Sequence, residues 1–357
     1  MEKKTVYIVA TQYDNVGDLL INKCLIDQLA KYGKVYLDTK NVPRAFKDLL
    51  FDGTTNVFEL KELTQYSFKG IQILPLLFLT PGFTHVFKSP GPFSSKGSFK
   101  SFLQLFLIGL MFKILKFKGV KSSLVGNDIH FQGVLDRFLV KFYSANTEMM
   151  LCRSVENKLA LENLGIKNVD YIPDLCFSHN SEIMDMKRHE VGVSFRQLND
   201  INLDKKIIKM VQGILNNSIL DITIFYQVER DYEYNLKLFE NFKDNPRVRF
   251  NEKCLEWNDL GYYNRFVFTL SNRLHVLLLG AVHNVIPIAL LNLDSKTEKI
   301  TKIFQSVNLG FLLMTDLSDE KLKHLLENVD KIRGEVIEIV HKQSDLLDNA
   351  ISDLFKD

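Results

Sequence analysis

The stretch Phe266–Leu290, FVFTLSNRLHVLLLGAVHNVIPIAL, holds the densest set of groups able to do chemistry. An apolar run ends near Leu270, and Ser271-Asn272-Arg273-Leu274-His275 then opens a helix. Ser271 suits an N-cap, because its hydroxyl accepts from a first-turn N–H. A helix N-terminus offers unpaired N–H groups and the positive dipole end, so it attracts anions. Arg273 adds a planar fork that fits a phosphate or carboxylate. A free imidazole titrates near neutrality, so His275 is a candidate to carry a proton. From Leu260 to Leu293 there is no Asp or Glu, while Arg265, Arg273, His275 and His283 are present. That one-signed stretch points to an anionic ligand. The plainer account is an Arg and a His that cap a helix and bond loop carbonyls.

A second strand-to-helix turn holds Asp14-Asn15-Val16-Gly17-Asp18. Gly17 permits a tight backbone, but the pattern is neither G-x-G-x-x-G nor a P-loop. Two carboxylates repel a phosphate; with Asn15 they suit sugar hydroxyls, or a base that activates one. The plainer account is an Asp N-cap with an Asx-turn. Arg153 follows MMLC and Arg196 follows VGVSF, both at strand ends. With Arg273 they could build an anion pocket, though each alone reads as a surface residue. Asp174 follows Pro173 as a turn residue or cleft carboxylate. There is no H-E-x-x-H, G-x-S-x-G or metal-spaced Cys/His cluster, and no metal is expected.

These groups need strand ends to stand on. Apolar runs at Val6–Ala10, Val35–Leu37, Ser122–Val125, Met149–Cys152, Val169–Ile172, Val191–Phe195, Ile222–Tyr226, Phe266–Leu270 and Ile286–Leu290 read as strands. Helical patterns fit between most of them, such as Asp18–Tyr32 and Ser154–Leu164. Alternating strands and helices imply parallel α/β sheets. The polar stretch Ser178–Glu190 marks a boundary. The expected domains are 1–177 and 191–340, with 341–357 as a helical tail; the whole stretch Ser318–Asp357 reads as helical and able to pack back on the first domain. Two such domains bind ligands at the carboxyl ends of their strands.

Length and composition agree. The chain has 357 residues, 46% hydrophobic and 25% charged, which excludes disordered and fibrous classes. A net charge of +2 gives no nucleic-acid signal. Four dispersed cysteines fit a reducing compartment. The first apolar run, Thr5–Ala10, is too short for a signal peptide, so a cytoplasmic protein is expected. The segment Phe99–Lys121, FKSFLQLFLIGLMFKILKFKGVK, is the most apolar, and its lysines interrupt it too early to span a bilayer. It reads either as a buried helix followed by a lysine-edged strand or as a segment docking on the inner membrane face.

DNVGDLLINKCLIDQL, LCRSVENKLALENLGIKNVDYIPDLCF, VGVSFR and SNRLHVLLLGAVHNVIPIAL, in this order over roughly residues 5–312, resemble the polysaccharide pyruvyl transferase family. The S-x-R-L-H segment carries most of the likeness. The middle motif departs from it, with Ser154 after Arg153 where relatives often have an Asp, and VGNDIHFQG lacks a Gly-Pro pair. The resemblance implies two facing Rossmann-like domains, as in GT-B glycosyltransferases. It implies transfer of the pyruvyl group of phosphoenolpyruvate to sugar hydroxyls of a capsular or exopolysaccharide precursor, with no cofactor beyond that donor and an acceptor that is lipid-linked in some cases. On matching positions, Arg273 and His275 become central donor-site residues, Arg153 a second anion contact, and Asp14, Asn15 and Asp18 acceptor-side groups.

In that reading Arg273, Arg153, Arg196, Ser271 and Asn272 hold the donor, His275 is the general acid, Asp18 or Asp14 the base, and Gly17 shapes the acceptor loop. The rivals are a GT-B glycosyltransferase using a nucleotide sugar and a non-catalytic relative that assembles polysaccharide machinery. A nucleotide-sugar site usually needs a carboxylate in the second domain, and the acid-free stretch from Leu260 to Leu293 argues against it.

Overall fold

A computed structural model describes residues 2–356 apart from 70, 71, 74–81, 96, 132, 185, 293–297, 316 and 317. The chain divides into two compact units. The first comprises Met1–Tyr13, Asp18–Ser178 and Asp345–Asp357; the second comprises Asp14–Gly17 and His179–Ser344.

The first unit is built on β1 (Lys4–Ile8), β2 (Lys34–Asp38), β3 (Val57–Glu59), β4 (His85–Lys88), β5 (Gly91–Phe93), β6 (Lys121–Ile129), β7 (Met149–Cys152) and β8 (Val169–Tyr171). Its sheet order is β3-β2-β1-β4-β6-β7-β8, with β5 on β6, and the pairings are parallel. Parallel strands are covered on both faces, so they read as near-continuous apolar runs rather than alternation. Val6, Tyr7, Val35, Leu37, Val86 and Met150 are fully buried. Strand β6 outruns its apolar core because Gly126, at φ +70°, takes up a register shift between Val125 and Asn127. The helices are α1 (Val16–Ala30), α2 (Arg44–Phe51), α3 (Phe99–Phe117), α4 (Val134–Asn146) and α5 (Val155–Asn163). Helix α1 begins two residues before the sequence-expected Asp18, so Asp18 lies in its first turn. The apolar segment 99–121 forms α3 and leads into β6.

The second unit holds β9 (Glu190–Ser194), β10 (Asp221–Ile224), β11 (Val248–Phe250), β12 (Phe266–Ser271), β13 (Ile286–Leu290) and β14 (Leu313–Met314). The order is β11-β10-β9-β12-β13-β14, again parallel. The chain builds outward from β9 to β11, then returns to start again at β12 on the other side. This is the Rossmann order, and its switch point lies between β9 and β12. Pro287 within β13 is tolerated because β14 pairs only with Ala289 and Leu290, leaving that half of β13 at an edge. The helices are α6 (Ile201–Asn217), α7 (Tyr232–Glu240), α8 (Leu274–Val282), α9 (Glu298–Ser306), α10 (Asp319–Glu327) and α11 (Val329–Asp353). Both units are thus parallel-sheet, Rossmann-like α/β domains, followed by a helical C-terminal segment.

From Asp345, within α11, the chain counts with the first unit. The Phe355 ring stacks on Tyr32 at 4.6 Å and lies 4.6 Å from the His85 ring. In the second unit, Gly192 of β9 faces the Phe266 ring, and a Cβ there would come within 2.6 Å of a ring carbon. Gly192→Ala is therefore expected to overpack the sheet and cost about 2 kcal/mol, read as a lowered melting temperature by circular dichroism.

Candidate functional site

The carboxyl edge of the second sheet at its switch point is formed by the exits of β9 and β12. Two buried asparagines fix these exits. Asn235 of α7, with no exposed surface, accepts from Phe195 N at 2.9 Å and donates to Phe195 O at 2.8 Å. It also donates to Asp231 O at 2.8 Å. Asn272 accepts from Arg196 N at 2.7 Å and donates to Arg196 O at 2.9 Å. Ser271 is buried; its hydroxyl donates to Ser194 O and accepts from Arg273 N at 2.9 Å. Ser271 and Asn272 thus shape the loop with their side chains. The cap position of α8 falls on Arg273 rather than Ser271.

Arg273 Nη2 donates to Asp231 Oδ1, and Asp231 is only 3% exposed. Among the described residues the buried Arg273 Nε has no hydrogen-bond partner. Burial lowers the Arg273 pKa, Asp231 opposes that shift, and the like charges of Arg196 and Arg230 reinforce it. Three guanidiniums therefore gather here, and Arg196 and Arg230 are exposed. His275 occupies the first turn of α8. Gly17 lies against it, since a Cβ there would fall 2.0 Å from His275 Nδ1. Asn15 Oδ1 accepts from Gly17 N at 3.0 Å, the Asx-turn expected of this loop. Asp14, on the same loop, is exposed.

The remaining cations of the acid-free stretch lie elsewhere. Arg265 precedes β12 at the opposite, amino end of the sheet and pairs with Glu190, which is 1% exposed. His283 caps the far end of α8, and its Nδ1 lies 2.8 Å from Leu279 O. Arg188 donates to His283 O at 2.7 Å and to Phe266 O at 3.0 Å. A groove of 790 Å³ lined by Met184, Arg188, Ile219, Leu220 and Arg333 opens at this amino end and contains none of the switch-point groups.

The structure does not gather every sequence-derived candidate into one unit. Arg196, Ser271, Asn272, Arg273, His275, Asp14, Asn15 and Gly17 belong to the second unit, and Asp18 and Arg153 to the first. Arg153 is 3% exposed, with Nη2 3.5 Å from Asp128 Oδ2 and Nη1 3.9 Å from Asp174 Oδ2. Asp174 itself is buried and accepts from Cys176 N at 3.2 Å. Asp18 O accepts from Asn22 Nδ2 at 2.6 Å, and Asn22 Oδ1 accepts from Tyr7 and Ser89, each at 2.6 Å. Asp231, Arg230 and Asn235 escaped the sequence reading. The signal for them was the run QVERD, two residues past the end of β10, at the exit of the strand next to β9.

No family model and no curated sequence matches this chain. Solved structures do. A UDP-N-acetylglucosamine 2-epimerase from Neisseria meningitidis, solved with UDP-GlcNAc, aligns at TM-score 0.59 and 10% identity over 98% of both chains. The putative enzyme of that name from Listeria monocytogenes aligns at 0.61 and 8%, over 99% of this chain and 94% of that one. Anabaena HepE in complex with UDP-glucose aligns at 0.55 and 12% over 98% of both. At such identities the likeness establishes a GT-B-like fold. It overturns the pyruvyl transferase resemblance: no family model supports it, and these neighbours are UDP-sugar proteins. Phosphoenolpyruvate as donor and partner, and pyruvylation of capsular or exopolysaccharide precursors, fall with it. The argument against a nucleotide sugar fails too, because a count along the sequence missed Glu229 and Asp231 at the exit of β10.

Burial holds the His283 pKa below its usual 6.5. Above 6.5 both folded and unfolded chains keep this ring neutral; below it the unfolded chain takes up a proton that the folded chain resists, so stability falls with pH. His283→Gln is expected to flatten the decline of melting temperature between about pH 7 and about pH 5.

Proposed function

We propose that the chain is an enzyme acting on a nucleoside-diphosphate sugar, with UDP-sugars as the substrate class. The observation that carries this reading is the cluster of Arg196, Arg230 and Arg273 beside the α8 N-terminus, at the switch point of a Rossmann-ordered sheet. Its positive charge suits a diphosphate. The UDP, UDP-glucose and UDP-GlcNAc present in structurally similar proteins support the same class. Arg273 is set by Asp231, while the exposed Arg196 and Arg230 close on the phosphates. When the bond between the sugar C1 and the diphosphate oxygen breaks, the leaving diphosphate takes the electron pair. The guanidiniums and the helix N-terminus stabilise that charge. His275 donates a hydrogen bond or a proton to the leaving oxygen. Asp14 and Asn15, on the loop whose Gly17 touches His275, hold sugar hydroxyls.

Two reactions share that bond cleavage: glycosyl transfer, in which an acceptor hydroxyl oxygen bonds to C1 and gives its proton to a base, and 2-epimerisation, in which a base takes the C2 proton as the diphosphate leaves and both then add back, the proton on the opposite face of C2. The 2-epimerases among the similar structures support considering the second. Proton NMR of UDP-GlcNAc incubated without acceptor separates them, since epimerisation proceeds there and transfer does not.

Thermal shift tests the binding reading. UDP at about 100 times its dissociation constant should stabilise the chain by about 2.7 kcal/mol, a rise of about 5–10 °C. Arg196→Ala should shrink that rise with little change in the ligand-free melting temperature. Arg273→Ala should abolish it, and will also lower the starting temperature because it strands Asp231. A rise with phosphoenolpyruvate instead of UDP, or an equal UDP response in wild type and both variants, would refute the proposal.

A further inference from the structure

Helix α3 is apolar on two sides. Its inner side, with Met111, Phe112 and Leu115 buried, enters the core of the first unit. Its outer side presents Phe99, Leu103, Leu107, Leu110 and Phe117, which are 71%, 45%, 55%, 38% and 82% exposed. These positions recur at helical spacing and share one face. Helix α4 extends the patch with exposed Val134, Leu135 and Phe138. The Phe138 ring lies 6.3 Å from Phe102 and 6.2 Å from Phe106, which joins the two helices into one surface. The outer face of a surface helix is normally polar, and a contiguous apolar patch marks an interaction site.

The charge around the patch indicates what covers it. Lys100, Lys113, Lys116 and Lys118 on and just after α3, and Arg137 and Lys141 on α4, are all exposed. Between Ser94 and Asn127 the sequence has no Asp or Glu. The one carboxylate of α4, Asp136, is buried and accepts from Ser95 N at 2.8 Å. Pairing two copies through this face would bring cations against cations. An anionic bilayer surface instead meets both the apolar stripe and its basic rim. Among the described residues no helix is long and apolar enough to cross a membrane, so α3 would lie in the plane of the surface.

We propose that the outer face of α3 and α4 is a membrane-docking surface for anionic lipid bilayers. Phe99, Leu103, Leu107 and Phe117 reach the boundary of the acyl chains, and the lysines stay at the headgroup phosphates. The proposal does not depend on the reaction assigned to the second unit.

Co-flotation of the full chain with lipid vesicles tests it. Binding to vesicles containing phosphatidylglycerol is expected, with little binding to phosphatidylcholine alone and a decline as salt rises. Leu103→Ser/Leu107→Ser should weaken binding on the order of tenfold or more, with an unchanged circular dichroism spectrum because both side chains already face solvent. Lys113→Gln/Lys116→Gln should lower binding to anionic vesicles and reduce its salt dependence. The proposal fails if the wild type does not float, or if it floats equally well with neutral vesicles or after the leucine substitutions. It also fails if gel filtration shows a dimer that the leucine substitutions break, which would make a second copy the occupant.

Discussion

One side-chain carboxamide can accept from the N–H and donate to the C=O of the same residue at once. Asn235 does this for Phe195, and Asn272 does it for Arg196. The carboxyl edge of the second sheet hangs on these two clamps. From Asn235 the connection runs to Asp231, from Asp231 to Arg273, and through the Ser271 hydroxyl back to Ser194 at the end of β9. The circuit closes on the strand where it began. A guanidinium on a flexible stem would otherwise lose much rotamer freedom on binding a ligand. Here Arg273 has already lost it in folding, held by Asp231.

The electrostatics divide the arginines by task. Arg273 and Arg153 are largely withdrawn from water and each faces buried carboxylate, which a buried charge requires. Arg265 is matched to Glu190 at the amino end of the sheet. Arg196 and Arg230 differ, being exposed and close enough to Arg273 to disfavour its charge. An anion placed among them relieves that repulsion. On the proposed diphosphate reading, part of the affinity comes from a tension already present in the ligand-free chain.

The fold class was legible because strands covered on both faces must be apolar throughout. Met149–Cys152 and Ile286–Leu290 coincide with β7 and β13 for this reason. Strands β3, β4, β5, β11 and β14 were not read as strands; they are two to four residues long, whereas the equally short β8 was found through the apolar Ile172 beside it. At the site, Arg273 and His275 could be found because the β12-to-α8 turn is local in sequence. Asp231 and Asn235 could not be assigned, because their partners stand 42 and 40 residues away and only the strand order brings them together. The same limit explains why an acid-free stretch of chain was mistaken for an acid-free site.

The first unit is completed by chain that lies beyond the second. Phe355 is 5% exposed, wedged beside Tyr32, His85 and Phe87. On a ribosome, residues 179–344 emerge before this ring does. The second unit can therefore close while the first still has an open seam in its core, reversing the usual order in which the amino-terminal part folds first. Until Phe355 is made, the faces of Tyr32, His85 and Phe87 that its ring covers stay open, and an aromatic side chain of another chain can take its place.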